Sequence, residues 1–222
     1  MNLDEWASEL NHRVYDEWKT QFSSWKQGFK VLHGPPLVRP SLMIISLNPG
    51  GDEGNFAQDR NKFENGDFSP AKEPPYLTRT SKFAARIRDL FGEHVQLLRE
   101  TVAFPVCFFR SEGWDSIPRP IKNRMKQFCF PIAKEMIQMM PPKRILLIGL
   151  NTYNKVESIL GGFKNERITV TRQKDKLSKL VRESRWETVP VLATAHLTGS
   201  RIGHYDWVEM KREFAWWLSN SA

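Results

Sequence analysis

Apolar residues recur at steps of three or four from Trp6 to Trp25, through Leu10, Val14, Trp18 and Phe22. That spacing is one face of an amphipathic helix, or of two in succession, with its tryptophans turned inward. It predicts an N-terminal helical segment over about residues 1–30. Residues 31–40 hold Gly34, Pro35, Pro36 and Pro40 and read as an irregular connection. The next apolar run, Leu42 to Leu47, is broken only by Ser46 and closed by Asn48-Pro49-Gly50-Gly51. A short apolar run ended by turn formers reads as a buried strand.

Beyond Gly51 the chain is polar as far as Pro75, with Asn55, Asn61, Asn65 and Gly66, and this stretch reads as a long loop. Phe56, Phe63 and Phe68 lie inside it. Two readings of them are open: they stack on a planar ligand, or they pin the loop to the core. A helix capped by Thr80 or Ser81 runs through Phe83, Ile87, Leu90 and Phe91 to Gly92. The run Val102 to Phe109 contains Pro105, so it is an edge strand or a strand that begins after the proline. Helical spacing returns from Arg119 to Met140, with Pro131 inside it and Pro141-Pro142 as its stop. Arg144 to Leu150 is a second strongly apolar strand, followed by a helix through Val156 that ends at Gly161-Gly162. Ile168 to Thr171 suggests a short strand, Val189 to Ala195 a last one, and Trp207 to Leu218 a last amphipathic helix.

Strands alternating with helices indicate one α/β domain over residues 1–222, a three-layer α/β/α sandwich around a mostly parallel sheet. No internal repeat or boundary divides it. With 222 residues the chain is long enough for a full core. The N-terminus lacks a basic region followed by an apolar stretch, and no apolar run nears the ~20 residues of a membrane span. An intracellular protein, cytoplasmic or nucleoid-associated and monomeric, is expected, with no membrane contact. Two cysteines, Cys107 and Cys129, make no disulfide framework and too few ligands for a zinc or iron–sulfur centre.

The formal net charge is +8, which favours polyanionic partners, nucleic acid above all. The most basic block carries Lys164, Arg167, Arg172, Lys174, Lys176, Lys179, Arg182 and Arg185 against Glu166, Asp175 and Glu183. Such a block is either a solvated face or a phosphate contact. No phosphate loop, Gly-x-Gly-x-x-Gly or Gly-x-Ser-x-Gly motif occurs. The histidines, His12, His33, His94, His196 and His204, are dispersed without metal-ligand spacing, so neither metal nor cofactor is expected.

What remains is a pair of polar strand ends, Asn48 after the first strand and His196 after the last, which a parallel sheet would bring to one edge. On these residues the chain resembles the uracil-DNA glycosylase superfamily. Leu47-Asn48-Pro49-Gly50 is similar to the first motif of its single-strand-selective and mismatch-specific branches, and Ala195-His196-Leu-Thr-Gly-Ser-Arg201 to the second, in which His-Pro-Ser opens a loop that enters DNA.

The resemblance implies an N-glycosylase that extrudes an altered base from the stack. In it, His196 would donate a hydrogen bond to the departing base oxygen, and Asn48 would hold the attacking water. It also implies stacking of the flipped base on Phe56 or Phe63, and DNA contacts from Gly50, Gly51, Leu197, Thr198, Ser200 and Arg201; in place of the family's amide, Phe108 or Phe109 would shape the base pocket and Arg110 would supply donors. Leu197 or Ile202 would fill the space the base leaves. The pattern departs from the family at two places. Leu197-Thr198 replaces Pro-Ser, and the run Cys107-Phe-Phe-Arg-Ser111 has no amide where the family reads uracil with an Asn. Excision of uracil or another altered base is therefore one expectation. A glycosylase-like fold that binds nucleic acid or a nucleotide without excision is the alternative, and an unrelated basic α/β domain working in protein contacts is the third.

Overall fold

The computed structural model describes residues 2–51, 53–173, 176–198 and 202–221, and the side chains of these except 171–173 and 176–178. Seven α-helices and six strands are named here in chain order. They are α1 (Leu3–Gln21), β1 (Leu42–Ser46), α2 (Glu53–Glu64), α3 (Pro75–Thr78), α4 (Lys82–Phe91), β2 (Thr101–Pro105), α5 (Arg119–Met139), β3 (Ile145–Ile148), α6 (Leu150–Leu160), β4 (Lys164–Gln173), β5 (Lys176–Trp186), β6 (Val189–Thr194) and α7 (His204–Asn220). The strands form one mixed sheet in the order β2-β1-β3-β6-β5-β4.

The four strands β2, β1, β3 and β6 are parallel and buried, and their side chains alternate between two cores. Met43, Ile45, Val102, Phe104, Leu147 and Ala193 face one core, completed by α1, α2, α5 and α6. Leu42, Ile44, Ala103, Leu146 and Leu192 face the other, completed by α4 and α7. This is the expected three-layer α/β/α sandwich. Pro105 closes β2 at the sheet edge, where a missing N–H leaves no ladder bond unmade. Ser81 caps α4 by accepting from Ala84 N–H, and Gly92 ends it with φ +52°. Cys107 and Cys129 are both buried packing residues.

Two stretches differ from the sequence reading. The first half of the polar segment after Gly51 is helix α2, because Phe56 and Phe63, seven residues apart on one face, give an otherwise polar helix its anchor. The basic block is a long hairpin of β4 and β5, not a short strand in a loop. Its exposed strand β4 carries polar residues on both faces, which hides the two-residue alternation.

Register fixes the site. Ser46 pairs with Pro105 and with Ile148, and Ile148 pairs with Thr194, so the four parallel strands end at one level. The chain leaves β1 toward β2 on one side and returns to β3 on the other, so the crevice between β1 and β3 is a topological switch point.

Candidate functional site

A cleft of about 1410 Å³ opens over these strand ends. Its centre is the turn Asn48 to Gly51, which the segment after β2 clamps. The ladder between β1 and β2 continues past the strands, with Val106 N–H donating to Ser46 O at 2.9 Å and Cys107 N–H to Leu47 O at 2.9 Å. Ser111 N–H donates to Pro49 O at 3.1 Å, and Arg110 Nη1 donates to Gly50 O at 2.9 Å. The Asn48 amide Nδ2 donates to Ser111 Oγ at 2.8 Å and to Pro49 O at 3.2 Å. Both amide hydrogens are thus directed at protein oxygens, and the carbonyl Oδ1 is left as the acceptor that the side chain offers the cleft. Gly51 has φ +110°, and a Cβ there would stand 2.3 Å from Asn55 Oδ1.

Beside the turn lies a cluster of partly buried charge. Lys30 Nζ sits 3.2 Å from both carboxylate oxygens of Asp59, and Arg110 Nη2 lies 3.5 Å from Asp59 Oδ2. Burial lowers the Lys30 pKa, against the opposing pull of Asp59. The neighbouring His33, on the cleft wall, has its pKa lowered to about 3 by burial and then by the charges of Lys30, Arg110 and Arg79. Its imidazole is therefore neutral at every physiological pH.

On the far side of β3, His196 follows β6 and stands beside Gly149, where a Cβ would come within 3.5 Å of His196 Cδ2. The Phe83 ring is 6.3 Å from the imidazole, centroid to centroid. His196 reaches the open cleft, yet the walls around it desolvate the ring and lower its pKa. Thr198 N–H points at His196 Nδ1 across a long 3.4 Å contact. An acceptor at Nδ1 puts the proton of the neutral ring on Nε2, which becomes the donor.

No family model matches the chain, and no curated protein matches it.

Of the residues singled out from the sequence for the site, Asn48, Gly50, Gly51, Arg110, His196, Thr198 and Ile202 line the cleft. Ser200 and Arg201 lie outside the described residues. Four aromatics expected at the base do not reach it. Phe56 and Phe63 are 1% and 8% exposed and pack with Trp18, Phe29 and Tyr15, because they are the apolar anchors of α2. Phe108 and Phe109 are fully buried, Phe109 against Phe22 and Phe128. Leu197 is 3% exposed within the second core, so it fills packing space and not a gap in a base stack. Arg110 lines the cleft, but two of its nitrogens are engaged by Gly50 O and Asp59, which makes it a brace of the turn.

The basic block divides. Arg167 pairs with Glu183 and Glu213, and Arg182 pairs with Glu166, donates to Asn154 and covers the Tyr153 ring. Those cations are neutralised within the hairpin and its neighbours. Lys179 instead lines the cleft beside Leu180, where β5 runs past the end of β6.

The sequence reading missed Ser111, His33, Tyr76, Arg79, Phe83 and Asp206, all on the cleft wall. Ser111 was visible as the residue ending the run after β2, but nothing in its spacing tied it to Asn48. His33 lies in the Gly/Pro-rich connection, where no periodicity orients a side chain. Asp206 opens α7, a position where a carboxylate complements the helix dipole. Among the described residues, no group of three or more His, Cys, Asp or Glu is disposed to hold a metal ion. No helix among them is long and apolar enough to cross a membrane.

Proposed function

We propose that the chain is a DNA N-glycosylase that hydrolyses the glycosidic bond of uracil or another altered base. The observation that carries the reading is the placement of Asn48 and His196 at the ends of β1 and β6, on either side of β3 and facing one cleft. As the bond breaks, negative charge collects on the base oxygens. The Nε2–H of a neutral His196 is a donor preset for that charge. Water attacking the sugar carbon needs an acceptor to orient it, and Asn48 Oδ1, fixed by the engagement of Nδ2 with Ser111 and Pro49, supplies one. Phe83 and Tyr76 provide the aromatic wall that Phe56 and Phe63 do not. The amide absent after β2 has counterparts elsewhere, since Asn55 and Gln58 of α2 and Asn151 of α6 line the same cleft and can read a base edge.

Binding without excision is the second reading, favoured by the commitment of Arg110 to the turn where the family has a base-reading Asn. One assay separates the two. The protein is incubated with single- and double-stranded DNA bearing one uracil, hypoxanthine or xanthine, and abasic sites are then cleaved. Strand scission that disappears in Asn48→Ala and His196→Ala is the expected result. Retained DNA binding with no scission on any of these bases would overturn excision in favour of the second reading.

A further inference from the structure

On the lip of the cleft opposite the hairpin, the loop after β2 presents Trp114, a half-buried tryptophan that lines the cleft. Two ammonium groups of α5 lie over its ring, Lys122 Nζ at 5.4 Å and Lys126 Nζ at 5.8 Å from the centroid. The two lysines are four residues apart and so share one face of the helix. Desolvation lowers the Lys126 pKa, and the charges of Lys155, Lys122 and Arg119 lower it further. The carboxylate nearest Lys122 is Asp115, at 3.9 Å and 94% exposed, a weak and screened partner. Arg119 and Lys122 also stand in the first turns of α5, at the positive end of its dipole. A cation over a tryptophan ring accounts for one lysine. It does not account for two on one ring, with Lys155 brought in from α6 and a helix dipole of the same sign. Such an assembly repels itself until an anion neutralises it.

We propose that this corner holds the DNA strand outside the reacting nucleotide: an unpaired neighbouring base stacks on Trp114, and the adjoining phosphates lie along Lys122, Lys126, Lys155 and Arg119. This rests on the nucleic-acid reading above and adds to it a requirement for single-stranded character beside the target. A base stacks on an aromatic side chain only when it is released from its own stack, and alternating aromatic and cationic groups are how proteins track a single strand.

The test is binding of the full-length protein to a fluorescently labelled, unmodified single strand and to its duplex, over a range of salt concentrations. The single strand should bind more tightly. Trp114→Ala should weaken single-strand binding ~5- to 100-fold and affect the duplex far less, while Trp114→Phe keeps most of the affinity. The double variant Lys122→Gln/Lys126→Gln replaces two helix-surface side chains and serves as the probe should Trp114→Ala not fold. It should reduce the slope of log affinity against log salt by ~0.7 for each phosphate that the variant no longer neutralises. Equal affinity for strand and duplex, wild-type affinity in folded Trp114→Ala, or an unchanged slope in the double variant would each overturn the proposal. Absence of excision with this binding pattern intact would instead count against the glycosylase chemistry alone.

Discussion

The Asn48 side chain donates to the hydroxyl of Ser111 across 2.8 Å, joining the end of β1 to the segment that follows β2. Ser111 is 3% exposed and passes the interaction on by donating to Gly113 O at 3.2 Å. The serine thus acts on the cleft through Asn48, as a positioning residue. If the chain excises bases as proposed, Ser111→Ala should lower the single-turnover rate by roughly 10- to 100-fold, the scale set by a small misplacement of a reacting group. Asn48→Ala should lower it further, and the double variant should be no slower than Asn48→Ala. If the two losses multiplied, Ser111 would be acting independently of Asn48 and the positioning role would be wrong.

The pH dependence follows from His196. Its pKa is lowered from 6.5 by desolvation, so the neutral ring is the form present at neutral pH and above. If the chain excises bases as proposed, the rate should be level at alkaline pH with respect to this group and should fall as pH drops through the lowered pKa. An NMR titration of the imidazole should place that pKa below 6.5 and coincide with the acid limb of the rate. His196→Ala should slow excision by about 10²- to 10³-fold, as expected for losing one preset donor. A titration centred above 6.5 would mean that the cleft does not desolvate the ring and would discard this assignment.

The glycines of the turn make a sharp comparison. Gly50 has open space within 4 Å of an added Cβ, whereas Gly51 combines φ +110° with Asn55 Oδ1 at 2.3 Å. Gly50→Ala should leave stability within about 0.5 kcal/mol of wild type. Gly51→Ala should cost roughly 1–3 kcal/mol in urea unfolding, because the backbone conformation and the close approach both oppose it. Similar costs at both positions would mean that the turn is not shaped as described.

Why some of this was legible in the sequence and some was not can be put in physical terms. β1, β3 and β6 are buried on both faces, so their apolar runs announce them, and Asn48 and His196 are marked simply by standing at the ends of such runs. Ser81 and Gly92 bracket α4 by local capping chemistry, which needs no tertiary context. The phenylalanines went astray because an aromatic in a polar stretch has the same local signal whether it faces a ligand or a core. Tertiary packing against Trp18 and Phe29 decides for Phe56. The partly buried trio Lys30, Asp59 and Arg110 joins three separate segments, and charge so far apart along a chain carries no spacing by which to find it.

His33 ties the cleft to the stability of the fold. Its pKa falls from 6.5 to about 3 on folding, so between those limits the unfolded chain binds the extra proton. Stability must therefore decline as pH falls from 6.5 toward 3, with no contribution from this group above 6.5 and no further loss below 3. The slope for one proton is at most about 1.4 kcal/mol per pH unit, and the ring's exposure to the open cleft makes the observed value smaller. Urea unfolding between pH 7 and pH 5 stays above the range in which most carboxylates titrate, and His196 contributes there in the same direction. In that interval His33→Asn should unfold with a visibly flatter pH dependence than the wild-type chain, whatever its stability at pH 7. Parallel curves for the two proteins would mean that His33 titrates alike folded and unfolded, and that it does not sit among the cations of Lys30, Arg79 and Arg110.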